Sequence, residues 1–271
     1  MRIKTNANLR TDLIQLPIGY IGADGVVYNF AEISAMDGND EELIMDKKVA
    51  SNGANVITTL LTNKIISFSN GEGAEITKVS KNMVEGMFSG DRDMLLLEIR
   101  KLSLGNIMTV QAQCPNCREK YELDIDIVED VEIKIWDPEK NELHRSKHGI
   151  GILEFELPDG VFDGTNVHKN GWLKLPTGTV EKNLAPMLGT NPGKANTALI
   201  TSCIEQLGDL PMVDTSIVRS MTRRDREYIT NLIKKGGVGP QFRLGVTCPY
   251  CMNDFKVMLE LPNFFMGRSE M

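Results

Sequence analysis

Residues 108–127 read MTVQAQCPNCREKYELDIDI, and residues 242–261 read FRLGVTCPYCMNDFKVMLEL. In both, apolar and polar side chains alternate on either side of a C-P-x-C tetrapeptide. Met108, Val110 and Ala112 precede the first, with Tyr121, Leu123, Ile125 and Ile127 after it. Phe242, Leu244 and Val246 precede the second, with Phe255, Val257, Leu259 and Leu261 after it. Period-two alternation marks strands with one apolar face, so each tetrapeptide is expected at the tip of a β-hairpin. A thioredoxin-like redox pair would instead follow a strand and open a helix. A secreted disulfide framework suits neither four hairpin-tip thiols with a lone Cys203 nor a chain of 271 residues. Metal binding is therefore preferred over redox, disulfide and unpaired structural thiols.

Shifted by 134 positions, the segment Met87–Ile127 lies on Met221–Leu261 without a gap. Nine of the forty-one positions are identical: Met87/Met221, Asp91/Asp225, Arg92/Arg226, Ile99/Ile233, Lys101/Lys235, Gly105/Gly239, both cysteines and the proline between them. The rare residue types coincide, which points to an internal duplication. One hairpin offers two sulfur ligands, and a structural zinc ion takes four in a tetrahedron. His144, His148 and His168 all lie away from the pairs in sequence. The simplest site is one ion shared by Cys114, Cys117, Cys248 and Cys251, with the two hairpin tips facing across a pseudo-two-fold axis. Four thiolates leave no position for water or substrate, so such a site is structural.

The expected fold class is α+β: two tandem copies of a β-hairpin, helical and zinc-hairpin unit, joined by a four-cysteine, zinc-ribbon-like site. Residues 1–130 form the first copy, 131–150 a turn-rich connector and 151–271 the second copy. In the first, Leu16-Pro17-Ile18-Gly19 and Gly22-Ala23-Asp24-Gly25 open a hairpin. Val56, Ile57, Leu60, Leu61 and Ile65 predict an amphipathic helix over about 54–67. A short helix is expected over 79–87 and a longer one from about Asp91. In the second copy, Leu157-Pro158-Asp159-Gly160 answers the opening, and residues 160–178 read as an inserted hairpin or loop. Ala198, Leu199, Ile200, Cys203, Ile204 and Leu207 mark one helix, and Thr222 with Asp225 a variant capping box for the next. Asp91-Arg92 and Asp225-Arg226 read as charge at helix starts, each arginine bonding to a neighbouring carboxylate or carbonyl. Cys203 reads as a core residue, and His144 and His148, four apart without a third ligand, as surface residues.

Composition bounds the function. A net charge of −7 disfavours a nucleic-acid partner, and the Arg219, Arg223, Arg224, Arg226 cluster is broken by Asp225. No run approaches the roughly 20 apolar residues of a membrane-spanning helix. Met1-Arg2-Ile3-Lys4-Thr5 shows no secretory h-region, and free cysteines suit a reducing cytoplasm. Neither a phosphate loop, G-x-S-x-G, H-E-x-x-H nor a Cys–His pair occurs, so no enzyme and no small-molecule substrate are expected. Near the C-terminus, Phe264, Phe265 and Met266 follow Pro262, and they are either folded onto the core or presented to a partner.

The order Leu-Pro-x-Gly, hairpin, acidic turn, amphipathic helix, Asp-Arg helix, glycine and C-P-x-C hairpin resembles the baseplate hub assembly proteins of T-even-type phages and related tail assembly proteins. The matching residues are Leu16–Gly19 and Leu157–Gly160, Asp91-Arg92 and Asp225-Arg226, and the two cysteine hairpins. The departure is the duplication, since the family pattern is a single copy. The resemblance implies a zinc-stabilised, non-enzymatic structural component of a contractile tail or baseplate that docks on other tail proteins. It would be found in the host cytoplasm during assembly and then in the virion. The alternatives are an assembly chaperone absent from the mature virion and a zinc-ribbon adaptor of nucleic-acid machinery.

Overall fold

The computed structural model describes residues 10–45, 53–259 and 265. Strands β1 (Thr11–Ile21) and β2 (Val27–Ser34) pair antiparallel around the Asp24-Gly25 turn. Helices α1 (Gly38–Met45) and α2 (Gly53–Lys64) follow, then β3 (Ile65–Ser69) returns beside β2 and β4 (Glu75–Ile76) extends the sheet. Helices α3 (Lys81–Gly86) and α4 (Ser89–Leu104) lead into the hairpin β5 (Ile107–Gln113) and β6 (Lys120–Asp126). After β7 (Ile133–Lys134) and a 3-10 turn at Glu142–His144, the order recurs. Strands β8 (Ile152–Phe162) and β9 (Val167–Lys174) form a hairpin, followed by α5 (Gly178–Leu188), α6 (Pro192–Cys203) and β10 (Ile204–Leu207) beside β9. Helices α7 (Thr215–Ser220) and α8 (Arg223–Gly236) then lead through β11 (Gly239–Pro240) into the hairpin β12 (Arg243–Thr247) and β13 (Asp254–Met258).

Two sequence expectations fail at the same point of each half. The helix expected over 54–67 ends at Lys64, and the one carrying Ala198 ends at Cys203. Ile65, Ile204 and Leu207 sit in strands, although their spacing also fits a helix face. The neighbouring strands β2 and β9 offer open edges, and β-branched isoleucines pack well on a pleated surface. Residues 160–178 hold no free loop: Val161 and Phe162 pair with His168 and Val167, so of the two readings the hairpin is the one present.

The Leu-Pro-x-Gly segments are bulges in β1 and β8. The register shifts between Gln15 and Tyr20 and between Glu156 and Val161, and Gly19 and Gly160 take φ values of +111° and +87°. A bulge leaves backbone N–H groups without ladder partners, and here a buried aspartate collects them. Asp91 accepts from the amides of Ile18 (2.8 Å) and Gly19 (3.1 Å), and Asp225 from those of Asp159 (2.9 Å) and Gly160 (3.1 Å). Burial pushes the Asp91 carboxyl up to about 7, against the pull of those two amides. The adjacent arginines reach the other way: Arg92 Nη2 donates to Thr58 Oγ1 (3.2 Å), and Arg226 Nη2 to Thr197 Oγ1 (2.7 Å). Thus the Asp-Arg pairs tie each α4-type helix to a bulge on one side and to an α2-type helix on the other. Helix-start charge alone understates them.

Three apolar clusters result. One lies under the first sheet (Ile33, Leu60, Phe68, Leu95, Ile99) and one under β8–β9–β10 (Leu153, Phe155, Leu173, Ile200, Ile229). The third, with Leu97, Met108, Val110, Ile125, Leu244 and Leu259, is built from both cysteine hairpins and the segments around them. The 131–150 segment is stitched to both halves, since β7 pairs with β11 and Trp136 N donates to Pro17 O (2.8 Å). His144, expected at the surface, is buried there. It stacks on Trp136 at 4.1 Å, accepts from Asp137 N at Nδ1 (3.0 Å) and therefore donates from Nε2 to Gly236 O (3.1 Å). Burial holds its pKa below the usual histidine range. His148 stacks on Trp172 at 3.9 Å, and His168 is buried against Asp163.

Candidate metal centre

The two cysteine hairpins turn in the same way. Cys114 N donates to Glu119 O (3.0 Å) and Arg118 N to Cys114 O (2.9 Å); Cys248 N donates to Asn253 O (2.9 Å) and Met252 N to Cys248 O (2.9 Å). Arg118 and Met252 take left-handed φ values of +63° and +58°, the two non-glycine residues that do so among the described residues. That conformation costs an L-residue about 1–2 kcal/mol. In each hairpin the amide that follows this residue, Glu119 N or Asn253 N, favours the thiolate of Cys117 or Cys251.

All four sulfurs lie within 4.8 Å of one another. Cys114 Sγ is 3.6 Å from Cys251 Sγ, and Cys117 Sγ is 3.7 Å from Cys248 Sγ. These lengths exclude disulfides, whose S–S bond is about 2.05 Å. A tetrahedral ion with metal–sulfur bonds of about 2.3 Å has sulfur–sulfur edges of about 3.8 Å, so the donor set fits such an ion. The contacts are reciprocal: the first cysteine of each hairpin meets the second cysteine of the other. Cys114 and Cys248 are fully buried, Cys117 and Cys251 half-buried. Tyr121 and Tyr250 meet edge-on at 6.0 Å beside them.

Cys251 and Cys117 are pushed in opposite directions. Hydrogen bonds from the Asn116 side chain (3.6 Å) and the Asn253 amide pull Cys251 down to about 6. At Cys117 the Glu119 amide acts in the same direction, but burial and the three neighbouring sulfurs push it up to about 12. Only thiolates ligate, so a cation bound here would displace thiol protons.

Cys203 stands apart in the second core, where burial raises its thiol to about 12, and no histidine joins the cluster. Phe265 is half-buried against the first and third clusters; Phe264 and Met266 lie outside the described residues. Among the described residues, no helix is long and apolar enough to cross a membrane.

Fold and site together define an α+β protein whose distant cysteine hairpins converge on one closed, four-sulfur metal-binding arrangement. The family described as T4 bacteriophage base plate protein matches residues 58–266, and the chain belongs to that family. The matched segment takes in both cysteine pairs. Searches of the curated proteins and of the solved structures returned no match.

Proposed function

We propose that this chain is a non-enzymatic structural component of a contractile phage tail or baseplate, clamped by one zinc ion on Cys114, Cys117, Cys248 and Cys251. The observation that carries the reading is the convergence of four thiols from hairpins more than 130 residues apart, in a member of a baseplate family. Zinc is preferred because an all-thiolate tetrahedron suits a borderline-soft ion without redox chemistry. The closed ligand set gives the ion no catalytic position.

The two halves are read as copies of one unit, residues 1–130 and 151–271, with 131–150 between them. Supporting this are the recurring element order, the paired Asp-bulge and Arg-Thr contacts, and the reciprocal sulfur contacts. The partners are other tail or baseplate proteins, met first in the host cytoplasm and then in the virion. Two apolar features supply docking surface. Phe162 (65% exposed) and Val167 (55% exposed) face solvent at the tip of the β8–β9 hairpin. At the C-terminus the docking residues are Phe264, Phe265 and Met266, of which Phe265 packs on the first and third clusters. The charge of −7 speaks against a nucleic-acid adaptor.

Mass spectrometry of purified particles tests the assignment. The chain should be present at a fixed ratio to other tail proteins; its absence would make it an assembly chaperone instead. Elemental analysis of the purified chain should find about one equivalent of zinc, and a metal-free protein with four freely reactive thiols would refute the clamp. Deleting residues 263–271 should leave a folded, zinc-loaded chain that fails to enter particles.

A further inference from the structure

The two halves share the Asp-bulge and Arg-Thr contacts but differ in what lies over the arginine. In the first, α5 lies in the cleft formed by α2, α3 and α4. Glu181 Oε2 takes a hydrogen bond from Arg92 Nε (3.1 Å), Lys182 pairs with Glu85 (3.0 Å), and Thr179 Oγ1 donates to Glu85 O (3.1 Å). Gly178 packs so closely that an added Cβ would sit 2.6 Å from the Arg92 guanidinium. Arg92 is fully buried as a result.

The corresponding cleft of the second half, between α6 and α8, is open. It measures about 590 Å³ and is lined by Asn196, Arg223, Arg226, Glu227, Thr230 and Lys234 among others. Arg226 keeps its bond to Thr197, but its Nε and Nη1 find no hydrogen-bond partner among the described residues. Arg219, at the position of Glu85, is exposed.

What fills the first cleft indicates what fits the second. Helix α5 follows the second strand of its hairpin and begins Gly178-Thr179-Val180-Glu181-Lys182; α1 follows β2 and begins Gly38-Asn39-Asp40-Glu41-Glu42. Val180 and Asp40 are both buried inward. Gly178 and Glu181 meet the Arg92 cleft, whereas Gly38 and Glu41 are exposed and nothing lies within 4 Å of a Cβ at Gly38. The charges match in register. Glu41 stands where Glu181 does, facing the counterpart of Arg92. Glu42 stands where Lys182 does, facing Arg219 where the first half has Glu85, so this ion pair has its polarity reversed on both sides.

We propose that the Arg226 cleft receives α1 of a second copy of this chain, head to tail, with Glu41 on Arg226 and Glu42 on Arg219. The contact is heterologous, so each chain offers one helix and one cleft and assembly proceeds beyond a dimer. This rests on the correspondence between the two halves given above.

Sedimentation of the zinc-loaded full chain against concentration tests it. The wild type should grow past twice the monomer mass. Arg226→Glu and Glu41→Arg should each remain monomeric, and so should Asn231→Trp, which adds bulk at another lining residue of the cleft and leaves Arg226 in place. An equimolar mixture of Arg226→Glu and Glu41→Arg chains retains one sound cleft and one sound helix. The other contact in that mixture sets the two substituted positions together with their charges exchanged, so the mixture should grow past a dimer. The double variant Glu41→Arg/Arg226→Glu should regain growth for the same reason. A wild type that stays monomeric, association that survives Arg226→Glu, or a mixture that stays monomeric overturns the proposal. Failure of the correspondence itself would appear separately, as unequal stability losses on removing Asp91 and Asp225.

Discussion

Replacing Asp91 with alanine removes the acceptor of two buried backbone amides at once. Asp91 is completely buried, and Ile18 N and Gly19 N point at its two oxygens from 2.8 and 3.1 Å. Leaving a buried donor unpaired costs about 1–3 kcal/mol, so two give about 2–6 kcal/mol. Part is returned because a carboxylate no longer has to be held out of water, the same burial that pushes its pKa up to about 7. The expected loss is therefore about 3 kcal/mol. Asp91→Asn keeps one carbonyl oxygen for Ile18 N but turns an NH2 toward Gly19 N, so it should cost roughly half as much. Urea unfolding gives the free energy, and native-state hydrogen exchange locates it: the Ile18 and Gly19 amides should lose protection first. Asp225→Ala should behave alike at Asp159 and Gly160. A loss under about 1 kcal/mol, or Ile18 and Gly19 amides as protected as before, would refute the idea that these carboxylates hold the bulges.

Cys114→Ser with Cys117→Ser should abolish metal uptake, lower the melting temperature and raise protease sensitivity in both halves; damage confined to residues 1–130 would mean that the hairpins do not share an ion. Asp93 is pushed up to about 7 by burial first and by Glu181 second, with Arg92 opposing. A raised carboxyl makes the folded state hold more protons than the unfolded one between about pH 4 and pH 7, so stability should fall as pH rises through that window. Asp93→Asn should flatten the fall in urea midpoint, and an unchanged pH profile would sink the assignment. Gly178→Ala should displace Arg92 from Glu181 and cost about 1–3 kcal/mol, read by thermal unfolding; a neutral result would show that α5 is not closely seated.

The four-cysteine cluster is legible because its information is local: alternation fixes each hairpin, and the C-P-x-C spacing fixes the candidate donors. Two thiols per hairpin are too few for a four-coordinate ion, and the second C-P-x-C hairpin offers the other two. The bulges were visible only as the motif Leu-Pro-x-Gly. That Asp91 and Asp225 reach back some 70 residues to hold them depends on side-chain geometry, which no periodicity carries. Ile65 and Ile204 were placed on helices because apolar residues at i, i+3 and i+4 satisfy both templates until a neighbouring strand edge decides. His144 reads as a surface residue because a turn-rich, charged segment hides the one side chain that turns inward onto Trp136. The docking of α5 on the first half had no signal beyond Gly178 and Glu181, two common residues whose meaning lies in what they touch.

The ion's contribution depends on what it adds to contacts already present. The hairpins also share an apolar cluster, with Met108, Val110 and Ile125 from one and Leu244 and Leu259 from the other. Hydrophobic burial is non-directional and tolerates sliding, whereas four sulfurs in a tetrahedron fix both distance and angle. The apolar contact accounts for the hairpins being near one another; a bound ion would account for their holding one register. A register fixed at the hairpins is carried along β5 and β12 into α4 and α8, the helices whose Asp-Arg pairs fasten the bulges and line the two clefts. Chelation should therefore loosen the α5 contact on Arg92 before it unfolds either sheet. Hydrogen exchange with and without chelator measures this, and α5 amides that stay as protected as those of β2 and β9 would show that the clamp acts only locally.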